Sequence, residues 1–177
     1  AMLLEMDTST NCIDGANMVY HTLRLHAMSL IVIFVYLKDN IGVAGDNLAI
    51  LKRIAAIKNS SGMHTLVMGD FNVSPQTFID SGYPELLDMK VIHEPFNDDT
   101  CRHSGKDHLS TIDYIMCSNA IVPLLGNFKI IKDVAWSPHY AISVTVKDRP
   151  TSIKVHKRVQ PKSLPFIHND EGKPIPY

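Results

Sequence analysis

The feature that most constrains the fold is an unbroken apolar run at positions 30–36, Leu-Ile-Val-Ile-Phe-Val-Tyr. Branched and aromatic residues favour a β-strand, and a strand without polar alternation is typical of one that is covered on both faces. Even the wider run 27–37 falls far short of the roughly 20 residues that a membrane-spanning helix needs. We therefore expect a covered sheet built around this strand and no membrane partner.

The rest of the chain predicts a mixed α/β fold. Residues 18–26 are expected to pair with 29–36 as a hairpin, and a helix is expected to begin with Asp46 as its N-cap and to end at Gly62. The remaining apolar segments predict a strand, a helix and three strands, at 64–68, 74–81, 112–116, 128–131 and 140–146. Residues 83–110 show no periodicity, which predicts either a functional loop or an unrecognised element.

The charge of the chain is unevenly distributed. The net charge is −1, yet residues 147–162 carry six basic residues against one acid, and residues 147–177 hold five of the ten prolines. We interpret 1–146 as the folded domain and 147–177 as an extended basic arm. A basic arm is compatible with a polyanionic partner, and a solvated tail explains it equally well.

Cysteine usage predicts the compartment. The three cysteines are an odd number without metal-ligand spacing, so we expect reduced thiols and an intracellular location, cytoplasmic or nuclear. No secretion signal is expected from the first residues.

Three segments place polar residues at strand ends, and they carry the residue types that phosphodiester cleavage requires. They are Met-Gly-Asp-Phe-Asn at 68–72, Ser-Thr-Ile-Asp-Tyr-Ile at 110–115 and Trp-Ser-Pro-His-Tyr at 136–140. Cleavage needs a divalent cation, a base for the attacking water and a donor for the phosphate oxygens. Carboxylates and an imidazole at strand ends can converge to supply these functions.

In this order the segments resemble the endonuclease/exonuclease/phosphatase superfamily, whose motifs are G-D-F-N, S-x-I-D-Y-I and S-D-H. The first two match letter for letter, and Phe-Val-Tyr-Leu at 34–37 resembles the strand-ending Y-x-P-N of that family. The resemblance covers residues 18–146. It implies the C-terminal half of a four-layered, DNase-I-like α/β sandwich, with mostly antiparallel sheets and covering helices.

The resemblance also implies roles for individual residues. Asp70 would orient and deprotonate the attacking water, and Asn72 would hold that water or a phosphate oxygen. His139 would donate to the scissile phosphate, Asp113 would accept from the imidazole, and Tyr36 would touch the phosphate. The cofactor of the parent protein would be Mg²⁺ or Mn²⁺.

Three departures put the metal site in doubt. Pro138 stands where the family has an acid, and Asp39 stands where it has an amide. The metal-binding glutamate of the family's N-terminal half has no match in residues 2–17. The matched motifs therefore leave the metal ligands unknown, Asp39 and Asp70 are the candidates, and we do not expect this chain alone to bind the ion.

Half of a two-sheet sandwich leaves an apolar sheet face in need of a cover. We therefore expect self-association or a missing N-terminal half.

Two functions remain open. One is a metal-dependent phosphodiesterase, an endonuclease on DNA or RNA, with little activity in this chain alone. The other is a degenerate nuclease-like module that binds nucleic acid or protein.

Overall fold

The computed structural model describes residues 17–93, 99–102, 109–148, 167–168, 170 and 173–175. The helices are α1 (Gly45–Ser61), α2 (Pro75–Asp80), α3 (Tyr83–Leu86) and a 3₁₀ helix (Asn119–Leu124). The strands are β1 (Met18–Arg24), β2 (Ser29–Tyr36), β3 (His64–Asp70), β4 (Met89–Ile92), β5 (Cys101–Arg102), β6 (Leu109–Ser110), β7 (Asp113–Ser118), β8 (Leu125–Ile131), β9 (Ala141–Val146), β10 (Ile167–His168) and β11 (Pro174–Ile175).

A five-stranded sheet in the order β1-β2-β3-β7-β4 forms the centre of the described part. Strands β2 and β3 are parallel and are joined through α1, whereas the other three pairs are antiparallel. Three two-stranded antiparallel pairs accompany it: β5 with β6, β8 with β9, and β10 with β11. The predicted mixed α/β fold with mostly antiparallel strands is confirmed.

Strand β2 is covered on both faces, as its composition predicts. Ile31, Ile33 and Val35 belong to a cluster that includes Leu51 and Ile54 of α1. The alternate residues Leu30 and Val32 belong to a second cluster, which the partly buried side chains of β8 and β9 complete. Helices therefore cover one face of the sheet, and a two-stranded ribbon covers part of the other.

Helix α1 ends as predicted and begins differently. Gly62 adopts the left-handed conformation (φ 63°) after the last turn. The N-cap is Ala44 and not Asp46, which lies in the first helical turn and accepts a hydrogen bond from Lys38 Nζ at 2.6 Å. That position places the carboxylate near the positive end of the helix dipole. An acidic residue is therefore favoured there by the dipole and not by N-capping.

Residues 83–110 contain elements that the sequence did not reveal: α3, β4, β5 and β6. Strand β4 pairs with β7 at the sheet edge, where Met89 and Val91 are buried and Lys90 is exposed. Its four residues are too few for the alternation to stand out, which is why the strand escaped prediction. Residues 94–98 and 103–108 lie outside the described residues.

Other expectations fall partly outside the described residues. Cys101 and Cys117 are buried free thiols, and Cys12 lies among residues not described. Most of the arm 147–177 also lies there, so the domain boundary at 146 stays a prediction. No helix in the described ranges is long and apolar enough to cross a membrane.

Gly69 is required by the close approach of β3 to β2. It adopts φ 146°, and a Cβ atom placed there would collide with the Val35 carbonyl oxygen. We predict that Gly69→Ala lowers the free energy of unfolding by about 3 kcal/mol or more, because strain and overpacking add. At Gly62 (φ 63°) a Cβ would meet open space, so Gly62→Ala serves as the control with a loss of about 1 kcal/mol. Urea denaturation checks both variants, and equal losses would contradict the argument.

Candidate active site

Three side chains named by the motifs stand in one row across adjacent strands. Tyr36 of β2 pairs with Asp70 of β3, and Asp70 pairs in turn with Asp113 of β7. Residues paired in this way project from the same face of a sheet. Asp70 is the last residue of β3, which extends two residues beyond its predicted end at 68, and Asp113 is the first residue of β7, inside the strand predicted at 112–116.

Asp70 is held by Asn72. The backbone N–H of Asn72 donates to Asp70 Oδ1 at 2.9 Å, and its side-chain Nδ2 donates to Asp70 Oδ2 at 3.2 Å. The same Nδ2 donates to the Leu37 carbonyl at 2.7 Å. Asn72 adopts φ 49°, a left-handed conformation that asparagine tolerates. Its amide nitrogen is thus engaged by protein acceptors, and it orients the Asp70 carboxylate.

The Asp70 carboxyl is unusual in its acidity. Burial raises its pKa from 3.8 to about 6, and the nearby Asp113 and Asp39 carboxylates add to the increase. The Asn72 N–H and the His139 ring act in the opposite direction. The side chain is 12% exposed, so the carboxylate is desolvated while it still reaches the surface of the site. A carboxyl with this pKa changes charge close to neutral pH.

His139 completes the cluster from a separate segment. Its Nδ1 lies 3.0 Å from Asp113 Oδ2 and 3.3 Å from Oδ1, and its Nε2 lies 3.8 Å from Asp70 Oδ2. A carboxylate only accepts, so the short contact places the ring proton on Nδ1 and directs Nε2 towards Asp70. The ring is 33% exposed, which leaves it open to a ligand.

A short extended segment at residues 100–102 holds His139 in place. Cys101 and His139 form an antiparallel bridge, with Cys101 Sγ 3.8 Å from His139 Nε2. The Arg102 N–H donates to the Pro138 carbonyl at 2.9 Å. Proline at 138 removes an N–H, but the contact that positions this segment uses its carbonyl oxygen. Burial raises the pKa of the Cys101 thiol, with further increases from Asp113 and Asp70, so the thiol stays protonated.

Thr100 joins this segment to β7. Its Oγ1 accepts from the N–H groups of Ile112 and Asp113 at 3.0 and 2.9 Å, and its carbonyl accepts from the Tyr140 N–H at 2.7 Å. Thr100 and Cys101 lie in the stretch without periodicity, so nothing in the sequence pattern identified them.

The two other candidates lie at the margin of the site. Tyr36 is 51% exposed at the end of the row. Both Asp39 oxygens contact Asn40, which donates its backbone N–H and its side-chain amide at 2.7 Å. Asp39 is thus near enough to raise the pKa of Asp70, but it does not belong to the group formed by Asp70, Asp113 and His139.

Among the described residues, the acids and imidazole close enough to share an ion are Asp70, Asp113 and His139, with ligand atoms within 4.8 Å of one another. Asp113 and Nδ1 of His139 already bind each other, so Asp70 offers the available oxygen. Hard divalent cations prefer oxygen ligands and retain several waters. The residues present fit such an ion through Asp70, with water or a phosphate supplying the remaining ligands.

Comparisons with known proteins identify the fold. No family model and no curated protein match the chain. The endonuclease domain of TRAS1, a telomere-specific non-LTR retrotransposon, superposes with a TM-score of 0.63 at 16% identity, covering 74% of this chain and 64% of that one. The Xenopus laevis APE2 catalytic domain gives 0.57 at 19% identity, covering 78% and 57%. The 3′ phosphatase NExo from Neisseria, bound to a product DNA hairpin, gives 0.58 at 12% identity, covering 73% and 64%.

These similarities confirm the predicted DNase-I-like fold. The chain spans between 57% and 64% of the length of these structures.

The raised pKa of Asp70 predicts a pH-dependent effect on stability. Because the folded state binds this proton more tightly than the unfolded chain, the carboxyl destabilises the fold progressively as pH rises from about 4 to about 7. The shift corresponds to about 3 kcal/mol at most, and solvent screening reduces it to about 1–2 kcal/mol. Asp70→Asn should therefore stabilise the protein by that amount at pH 7.5 and have little effect at pH 4.

Denaturant titrations at the two pH values measure this difference. Asp80→Asn, at an exposed position at the end of α2, is the control and should show no such pH dependence. If Asp70→Asn changed the free energy of unfolding equally at both pH values, the raised pKa of Asp70 would be contradicted.

Proposed function

We propose that the chain is the C-terminal half of a metal-dependent phosphodiesterase that cleaves nucleic acid, with Asp70 as the base. The observation that carries the proposal is the convergence of Asp70, Asp113 and His139, which come from two adjacent strand ends and a separate segment. The cluster combines a base, an imidazole and a carboxylate that orients the imidazole, which is the set that phosphodiester hydrolysis uses.

The proposed reaction assigns one role to each group. Asp70, ionised above its pKa of about 6, takes a proton from water as the water oxygen attacks phosphorus. The bond between phosphorus and the leaving oxygen breaks, the leaving oxygen takes up a proton from solvent, and Asp70 returns its own proton to solvent. His139, when protonated on both nitrogens, donates Nε2–H to a phosphoryl oxygen. Its Nδ1–H continues to donate to the Asp113 carboxylate. Tyr36 lies beside Asp70 and is exposed enough to contact the phosphate.

A divalent cation, Mg²⁺ or Mn²⁺, would neutralise the phosphate when bound, and Asp70 is the residue that would hold it. Pro138 supplies no carboxylate, and the chain spans less than two thirds of the matched structures. Both facts support weak activity in the 177-residue chain alone. Nucleic acid is favoured as the substrate because the matched TRAS1 domain is an endonuclease and NExo was solved with a product DNA hairpin.

A second candidate function is assembly, and exposed apolar side chains favour it. Phe34 is 42% exposed on the sheet face that carries the second cluster, and Trp136 is 60% exposed near His139. We propose that this face is covered by a second copy of the chain or by an N-terminal half. In a degenerate module of this kind, the basic arm at 147–177 would bind nucleic acid or a protein partner.

The enzyme proposal predicts that Asp70→Asn reduces Mg²⁺-dependent nuclease activity by about 10²–10⁴-fold, because the base is lost. The substitution stabilises the fold at neutral pH by the argument above, so unfolding does not explain a loss of activity. Cleavage of a labelled oligonucleotide by the longest form of the protein measures the effect, with Asp80→Asn as control. Equal activity in wild type and Asp70→Asn would reject the proposal.

The assembly proposal predicts that the chain is larger than a monomer in light scattering, because burial of apolar area favours association by about 25 cal/mol per Å². Phe34→Lys should shift the mass towards the monomer and raise solubility. Leu86→Lys is the matched control, since Leu86 is 78% exposed on α3 and belongs to neither core cluster. A monomeric wild type that binds no apolar dye would contradict the prediction.

A further inference from the structure

Thr100 is a buried residue whose hydrogen-bonding capacity is fully used. Its hydroxyl proton is directed at the Ser110 carbonyl at 3.5 Å, and its two lone pairs accept from the N–H groups of Ile112 and Asp113. A hydroxyl has one donor and two acceptor sites, so no capacity is left. The residue is 0% exposed, which excludes solvent as an alternative partner for these groups.

We propose that Thr100 is the positioning residue for the His139–Asp113 pair, acting through its hydroxyl oxygen. This inference rests on the proposed function, in which that pair donates to the phosphate. Thr100 contacts no reacting atom; it fixes the backbone at both members of the pair. Neither the motifs nor the row of strand ends includes it.

The first contact is with Asp113 itself. Within the described residues, the ladder between β4 and β7 ends at the pair Ile92 and Ile115. Strand β7 begins two residues earlier, at Asp113, whose N–H donates to the Thr100 hydroxyl at 2.9 Å. The hydroxyl thus substitutes for a backbone carbonyl that a neighbouring strand would supply, and it fixes the end of β7 that carries the carboxylate.

The second contact is with the peptide that follows His139. The Tyr140 N–H donates to the Thr100 carbonyl at 2.7 Å, and the Arg102 N–H donates to the Pro138 carbonyl on the other side. His139 lies between these two bonds, opposite Cys101. Thr100 therefore connects the backbone of the carboxylate to the backbone of the imidazole, and the 3.0 Å separation of Nδ1 and Oδ2 depends on that connection.

The hydroxyl oxygen, and not the shape of the side chain, is what the contacts require. Valine has nearly the same shape but would leave the part-buried N–H of Ile112 and the buried N–H of Asp113 without this acceptor. Serine lacks the methyl group and keeps the oxygen. Thr100→Val and Thr100→Ser thus separate loss of the acceptor from loss of packing.

The activity test uses oligonucleotide hydrolysis with Mg²⁺ by the longest form of the protein. We expect Thr100→Val to lower kcat by about 10–100-fold, because the His139–Asp113 pair loses its orientation. KM should stay within a factor of about 3 of the wild-type value, because Thr100 does not contact the substrate. Thr100→Ser should keep kcat within a factor of about 3 of wild type. A serine variant as impaired as the valine variant would overturn the proposal.

A second readout does not need activity. Nitrogen NMR of the His139 ring in the 177-residue chain should show the Nδ1–H form in wild type and Thr100→Ser, and a mixture of tautomers in Thr100→Val. Thr65→Val, at a fully buried threonine of β3, is the control for lost stability and should leave the His139 tautomer unchanged. An unchanged tautomer in Thr100→Val overturns the positioning role, whether or not the protein proves to be a nuclease.

If the valine variant does not fold, Thr100→Cys replaces it, because a thiol has similar volume and accepts weakly. The same tautomer shift, smaller in size, is then expected. A tautomer identical to that of wild type in a folded Thr100→Cys protein would overturn the proposal.

Discussion

The register between β2, β3 and β7 is the constraint on which the rest of the site depends. It places Tyr36, Asp70 and Asp113 in one row, and a slip of one residue would turn an acid to the opposite face of the sheet. Gly69 contributes to this register, because only a residue without a Cβ lets β3 approach Val35 at that point. The geometry of the site is thus set by backbone pairing before any side chain contributes.

That register creates an electrostatic problem, because it brings two carboxylates together at partly buried positions. The His139 ring offsets the repulsion at one of them, because its Nδ1–H donates to the Asp113 carboxylate. Among the described residues, Asp70 is contacted by the Asn72 N–H groups and by a more distant imidazole, and burial raises its pKa to about 6. A carboxylate in this condition is suited both to accept a proton from water and to hold a cation. The two acids therefore differ in how closely the imidazole contacts them.

The sequence predicted the parts of this arrangement that are local. Polar motifs at strand ends identified Asp70, the last residue of β3, and Asp113, the first residue of β7, and Gly62 marked the end of α1, since each signal depends on residues close in the chain. The start of α1 was misplaced because Asp46 pairs with Lys38, a contact that periodicity does not encode. Thr100 was missed because its role comes from contacts with Asp113 and Tyr140, which are distant in sequence, and a lone threonine in an irregular segment carries no pattern.

The two faces of the central sheet are covered to different degrees, and this difference connects fold with function. Helices α1 and α2 cover one face, where Ile33, Val67 and Phe71 are fully buried. On the other face the two-stranded ribbon β8–β9 packs over Leu30 and Ile115, whereas Phe34 remains 42% exposed. Asp70 lies on this second face, two residues beyond Met68, which pairs with Phe34. Whatever covers Phe34 will therefore also border the Asp70 carboxylate, so that under the proposed function a covering partner would also shape the pocket for the phosphate.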